Sequence, residues 1–195
     1  HTPPRTPDCS FFSDLDKRLR RSSLWVRQIS MHLQTAEKVF MVFNSDGVMA
    51  RDQRMYTLFG VEVVVEKEGN LQTGYESVAF GLDAEAFFDT ISPSAIAQTA
   101  LDRSLLLLNA PPCPAGIMKV LLAGEAGGTM IHEACGHGLE ADIVQKDYSV
   151  YRGKIGQAVA SPLVTLVDDG TIEGSFGGGQ RDDEGTPCDR TVLIE

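Results

Sequence analysis

Tyr56-Thr57-Leu58-Phe59-Gly60-Val61-Glu62-Val63-Val64-Val65-Glu66 decides the fold class. Val61, Val63 and Val65 alternate with Glu62, Val64 and Glu66, so one face is apolar and the other mixed. That is the period of a strand resting on a core. Further β-type runs lie at 24–33, 38–43 and 71–80, punctuated by Asn44-Ser45-Asp46-Gly47 and Gly69-Asn70. Such residues close tight hairpins, which predicts an antiparallel meander with one face covered.

Helical periodicity flanks the meander. Residues 10–21 place Phe11, Leu15 and Leu19 on one face and end in the basic run Lys17-Arg18-Leu19-Arg20-Arg21, which suits a helix C-terminus. Residues 1–8 before it are rich in proline and expected to be loose. Ser92-Pro93 opens another helix, with serine as cap and proline in the first turn. Ile96, Ala100, Leu101, Leu105 and Leu108 are its buried stripe. Pro111-Pro112-Cys113-Pro114 ends it and reads as a linker. It divides a scaffold portion, 1–110, from the start of a second region, 111–195. Residues 117–122 read as a buried strand entering a helix through Gly124. The expected fold class is α+β: an antiparallel β meander flanked by helices, followed by a metal-motif helix in a second β-rich region.

Composition fits a folded chain, with 43% apolar and 23% charged residues. The net charge of −10 disfavours binding to phosphate backbones, so no direct nucleic-acid partner is expected. No apolar run is long enough to span a bilayer. Cys9, Cys113, Cys135 and Cys188 are scattered without a C-x-x-C pair, which argues for reduced thiols rather than a disulfide framework.

The densest chemistry lies in His132-Glu133-Ala134-Cys135-Gly136-His137-Gly138-Leu139-Glu140-Ala141-Asp142. Neutral imidazoles are good Zn²⁺ ligands, and a neighbouring carboxylate can take a proton from water. This reads as the catalytic segment of a metallohydrolase. The spacing, H-E-x-x-x-H, is one residue longer than the usual zinc-helix motif. On a regular helix, positions i and i+5 diverge, so a π-type turn or a helix end near Gly136 is expected. An unbroken helix would instead align Glu133, His137 and Glu140, a carboxylate-rich iron or manganese face. Two solvated histidines at a glycine-rich helix end are the plain alternative. Glu140 and Asp142, within two turns of His137, are candidates for orienting a ligand. Downstream, the glycine run 174–180 lacks a P-loop ending, and Asp182-Asp183-Glu184 is either a ligand-orienting group or a solvated turn.

The motif resembles the H-E-A-x-G-H-x-x-E-x-D signature of the TldD/PmbA family of zinc metalloproteases. Val159-Ala160-Ser161-Pro162-Leu163, Val167-Asp168-Asp169-Gly170-Thr171, Asp182-Asp183-Glu184-Gly185-Thr186-Pro187 and Thr191-Val192-Leu193-Ile194-Glu195 resemble further blocks in the family's order. The resemblance implies a cytoplasmic peptidase with His132 and His137 as zinc ligands and Glu133 as general base. In the family a cysteine far toward the C-terminus is the third ligand, a position not present here. The chain is therefore expected to be a piece of a longer protein that binds Zn²⁺ weakly or not at all by itself. Cys135 is expected to be a packed small residue, because the family position tolerates apolar side chains. The implied partners are a peptide or unfolded protein segment and a TldD/PmbA-type subunit in a homo- or hetero-dimer, with no membrane. The family's PmbA/TldE halves lack the histidine motif, so a non-catalytic scaffold is the alternative. The family also carries the label of modulator of DNA gyrase, but nothing in this sequence suggests DNA contact.

Overall fold

Strand β2 (Met49–Lys67) is the centre of a three-stranded antiparallel sheet, between β1 (Val26–Phe43) and β3 (Asn70–Phe80). In this computed structural model, which describes residues 9–195, the alternation predicted for β2 is realised. Phe59, Val61, Val63 and Val65 are fully buried. Helices α1 (Cys9–Ser22) and α3 (Pro93–Asn109) contribute Leu15 and Leu19, and Ile96, Ala100, Leu101 and Leu108, to the same core. Each fully buried side chain of this size stabilises the fold by about 1.5–3 kcal/mol. Ser92 caps α3 by accepting from the Ala95 amide, with Pro93 in the first turn. The helix can approach the sheet because β3 carries Gly74, where a Cβ would overlap the Ala100 carbonyl and the Ser104 backbone.

Two local expectations in this part of the chain are corrected, and one element was not foreseen. The runs at 24–33 and 38–43 are one strand, because Gln34 to Glu37 stay in register with Leu58 to Met55. A continuous ladder outweighs the polar local sequence. The second hairpin turns at Glu68 and Gly69, both at positive φ (53° and 80°), one residue earlier than read. A short helix α2 (Ala84–Thr90), not anticipated, is capped by Asp83 accepting from the Ala86 amide at 2.9 Å, and it buries Phe87. The loose segment expected at 1–8 lies outside the described residues.

The described residues divide into two compact units. The first takes the chain up to Pro112 and also Gly170–Asp189; the second is Cys113–Asp169 with Arg190–Glu195. The second unit contains α4 (Gly124–Ile131), two irregular helical turns carrying the histidine motif, α5 (Ala141–Gln145), and a two-stranded antiparallel sheet of β4 (Leu166–Asp169) and β5 (Arg190–Ile194). The strand predicted at 117–122 does not form. Among the described residues no segment pairs with it, and Ile117 and Leu121 are fully exposed. An isolated extended segment has no ladder to satisfy its backbone. The architecture is mixed α+β, an antiparallel sheet with helices and a second small sheet. Among the described residues no helix is long and apolar enough to cross a membrane.

The segment Gly170–Asp189 is tied into the first unit by one carboxylate. Asp52 on β2, 2% exposed, accepts from the Gln180 and Arg181 amides at 3.1 Å each, from Gln53 N at 2.7 Å and from Arg54 Nε at 3.0 Å. Arg54 also donates to the Arg181 carbonyl. Burial pushes the Asp52 carboxyl upward, but the Arg181 amide, the Arg54 guanidinium and the other amides outweigh it and hold its pKa below the ordinary aspartate value. Phe176 packs edge-on against Tyr56 at 5.1 Å, and Gly81 N donates to the Gly174 carbonyl at 2.8 Å. Asp182 closes a turn by accepting from the Glu184 and Thr186 amides at 2.9 and 2.8 Å, so its carboxylate serves the turn.

Removing the Asp52 carboxylate should release this segment. Each buried donor left without an acceptor costs about 1–3 kcal/mol. Asp52→Ala should therefore lower the urea unfolding midpoint and expose Arg181 to trypsin under native conditions. Unchanged cleavage at Arg181 would mean that other contacts hold the segment.

Candidate metal centre

Two histidines five positions apart lie about 140° apart around a regular helix and cannot face one ion. The chain resolves this by widening the helix. After α4, His132–Gly136 forms a single π-helical turn in which the His137 amide bonds the His132 carbonyl, followed by a 3₁₀ turn over His137–Leu139. The i→i+5 bond adds the extra residue to the turn and returns His137 to the side of His132. The imidazole centroids lie 4.5 Å apart with the ring planes at 70°. One potential ligand atom from each of His132, Glu133 and His137 lies within 4.8 Å of the others, and all three residues are exposed. The departure from regular helix expected near Gly136 is therefore present.

The two nitrogens of His137 have different surroundings. Nδ1 lies 2.7 Å from a Glu140 carboxylate oxygen, and Nε2 lies 3.6 Å from Glu133. A carboxylate on Nδ1 fixes the tautomer that donates there and leaves the Nε2 lone pair free. The hydrogen bond to Glu140, the Glu140 charge and the Glu133 charge raise the His137 pKa above its ordinary value against slight desolvation. A set of two imidazoles and a carboxylate, one imidazole buttressed by a second carboxylate, suits a borderline divalent metal such as zinc.

The other sequence candidates fall elsewhere. Asp142 accepts from Lys146 Nζ at 3.0 Å, one turn along α5, and this contact lowers its pKa. It makes no hydrogen bond or ion pair with His137. Glu133, His137 and Glu140 are not carried by an unbroken helix, since a π turn and a 3₁₀ turn stand between them, although both carboxylates approach the His137 ring. Cys135 is half-buried and outside the three-residue cluster. Cys113, Cys135 and Cys188 are free thiols. A cavity of about 980 Å³ runs beside the motif, with Met130, Ile131, Leu139 and Leu193 giving it an apolar wall next to His132. Ser149 and Tyr151 also reach the motif. Sequence reading missed both, since they lie beyond α5 with no spacing signal linking them to the histidines.

Comparison with known proteins identifies the family. Residues 9–108 match the family model described as the PmbA/TldA metallopeptidase central domain. Residues 115–195 match the one described as the C-terminal domain of the same metallopeptidases. A protein named metalloprotease TldD homolog from Haemophilus influenzae is 37% identical over 93% of this chain and 38% of its own length. A protein named metalloprotease from Methanocaldococcus jannaschii is 40% identical over 82% of this chain and 34% of its own length. The chain thus spans between a third and two fifths of these relatives. Two solved structures, described as candidate modulators of DNA gyrase, share the fold. The one from Bacteroides thetaiotaomicron has a TM-score of 0.76 at 16% identity, covering 100% of this chain and 47% of its own. The one from Thermotoga maritima has a TM-score of 0.76 at 19% identity, covering 97% of this chain and 44% of its own. With two consecutive family domains matched along it and the two-histidine turn inside the second, the chain belongs to the PmbA/TldD metallopeptidase family.

Proposed function

We propose that this chain is part of a zinc-dependent peptidase in which His132 and His137 hold the metal and Glu133 is the general base. The observation that carries this is the π-helical turn, which brings two imidazoles and a carboxylate within 4.8 Å of one another. When bound, zinc polarises a carbonyl and lowers the pKa of water. Glu133 accepts the proton of the attacking water and delivers it to the departing amide nitrogen. Glu140 keeps His137 in the tautomer that offers Nε2 to the metal. The substrate is a peptide or unfolded protein segment, and the working assembly is a cytoplasmic dimer with a TldD/PmbA-type subunit. Catalytic zinc normally takes three protein ligands, and with Glu133 as the base the described cluster offers two imidazoles, so these 195 residues alone should hold zinc weakly. The carboxylate-rich alternative is less well supported, because Glu140 is committed to Nδ1 of His137.

Base and ligand can be separated in the full-length protein. Glu133→Gln should lower peptide hydrolysis by about 10²–10⁴-fold while zinc content stays nearly unchanged. His132→Ala should lose the metal itself, since a missing donor is not replaced by packing. If Glu133→Gln loses zinc as fully as His132→Ala, Glu133 is a ligand and the mechanism is wrong. If the wild-type protein neither holds zinc nor hydrolyses peptides, the non-catalytic scaffold reading stands.

Glu140 has its own signature. In the metal-free protein, NMR titration of His137 should give a midpoint above the ordinary ~6.5 of histidine. Because the folded value is raised, this contact stabilises the fold fully below the unfolded pKa and is lost as pH rises through the folded one. Glu140→Gln should bring the midpoint down. A midpoint unmoved by the substitution would show that Glu140 does not hold this ring in solution.

A further inference from the structure

A π-turn is less favourable than regular helix and needs support where it ends. Here two residues from beyond α5 meet it. Ser149 Oγ donates to the Gly138 carbonyl and accepts from the Tyr151 amide at 3.0 Å. Gly138 directly follows His137, and its carbonyl stands at the end of a helical segment, where acceptors lack partners within the helix. The Tyr151 ring lies against Gly138, where a Cβ would stand 3.0 Å from Cε2 and 3.2 Å from Cδ2. A glycine at 138 admits the ring without a clash. The Tyr151 phenol faces the Cys135 thiol, two residues before His137, and this neighbour holds the phenol's pKa above the ordinary tyrosine value. The pair therefore touches the motif on both sides of His137, once through the serine and once through the phenol.

We propose that Ser149 and Tyr151 are positioning residues for the metal centre: together they clamp the π-turn and keep His137 within reach of His132. The inference rests on the zinc reading above, but it concerns the protein's own hydrogen bonds and can be tested without the metal. Without the Ser149 hydroxyl the Gly138 carbonyl loses its side-chain donor, and the 3₁₀ turn after His137 is free to rewind. Without the Tyr151 ring, the space beside Gly138 opens and the contact to Cys135 is lost. In either case the two imidazoles separate for part of the time, and the metal pays for their reunion.

The test uses the full-length protein with Ser149→Ala, Ser149→Thr, Tyr151→Phe and Tyr151→Ala. Zinc affinity is measured by competition with a chromogenic chelator. Amide hydrogen exchange over 132–140 is measured on metal-free protein, and thermal unfolding is recorded for each variant. Ser149→Ala and Tyr151→Ala should weaken zinc binding by about 10–100-fold, the usual effect of removing a residue that supports a ligand. Both should also speed exchange across the turn. Ser149→Thr keeps the hydroxyl and should stay close to wild type. Tyr151→Phe keeps the ring and should fall between, which secures the tyrosine arm should Tyr151→Ala fail to fold. Wild-type zinc affinity and exchange in Ser149→Ala and Tyr151→Ala would overturn the proposal. So would a lowered unfolding temperature with both of those unchanged, since the role would then belong to the fold alone. If the wild-type protein itself takes up no zinc, the zinc reading fails, and the exchange comparison decides the clamp unaided.

Discussion

Everything in the first unit leans on strand β2. Its inner half alternates so that Phe59, Val61, Val63 and Val65 point to one face, and α1 and α3 have an apolar surface to bury there. Its outer half turns to polar work. Asp52 is almost fully enclosed, and a buried carboxylate must be matched by donors or give up its charge. Two of those donors are backbone amides of Gln180 and Arg181, more than 120 positions later in the chain. One strand thus organises the local core through its apolar face and the distant segment Gly170–Asp189 through a single charge. Replacing Asp52 by an apolar residue of similar volume would keep the strand and lose the connection.

The division between what was legible in the sequence and what was not follows the range of the forces involved. The meander, α1 and α3 were readable because alternation and helical stripes are local consequences of a core, and Ser92-Pro93 is a local cap. The departure from regular helix at the motif was also readable, since the spacing of His132 and His137 leaves few geometric options. What escaped depended on partners. Residues 34–37 look polar, yet they are strand because β2 continues opposite them. Residues 117–122 look like a buried strand, yet without a ladder they are not one. The contacts of Asp52, Ser149 and Tyr151 join residues well separated in the sequence, which leaves no periodic trace.

The helix interruption at the motif also sorts the acids around it. On a continuous helix, Glu133 and Glu140 would stand on one face with His137 between them. With a π-turn before His137 and a 3₁₀ turn after it, Glu133 approaches Nε2 at 3.6 Å while Glu140 binds Nδ1 at 2.7 Å. One backbone irregularity thereby gives the two carboxylates different positions, one beside Nε2 and one on Nδ1 of the same ring. Asp142, only two residues beyond Glu140, falls past the extended backbone at Glu140 (ψ 134°) and pairs with Lys146 instead.

The two units are held by different means, and this bears on how the motif keeps its shape. The first has a shared apolar core; in the second, Ile194 is the one buried apolar side chain among the described residues. Hydrophobic burial constrains an element through its whole surface, whereas a hydrogen bond constrains a point. In the second unit the geometry near the histidines must therefore be set by point contacts: the His132 carbonyl to the His137 amide, Glu140 to the His137 ring, and Ser149 to the Gly138 carbonyl. Each engages His137 or the residue after it. His132, by contrast, continues directly from α4 and takes its direction from the regular helix. The contacts beyond the helix's own bonds gather at His137 and Gly138, so the direction of the His137 ring depends on side chains that the helix itself does not supply.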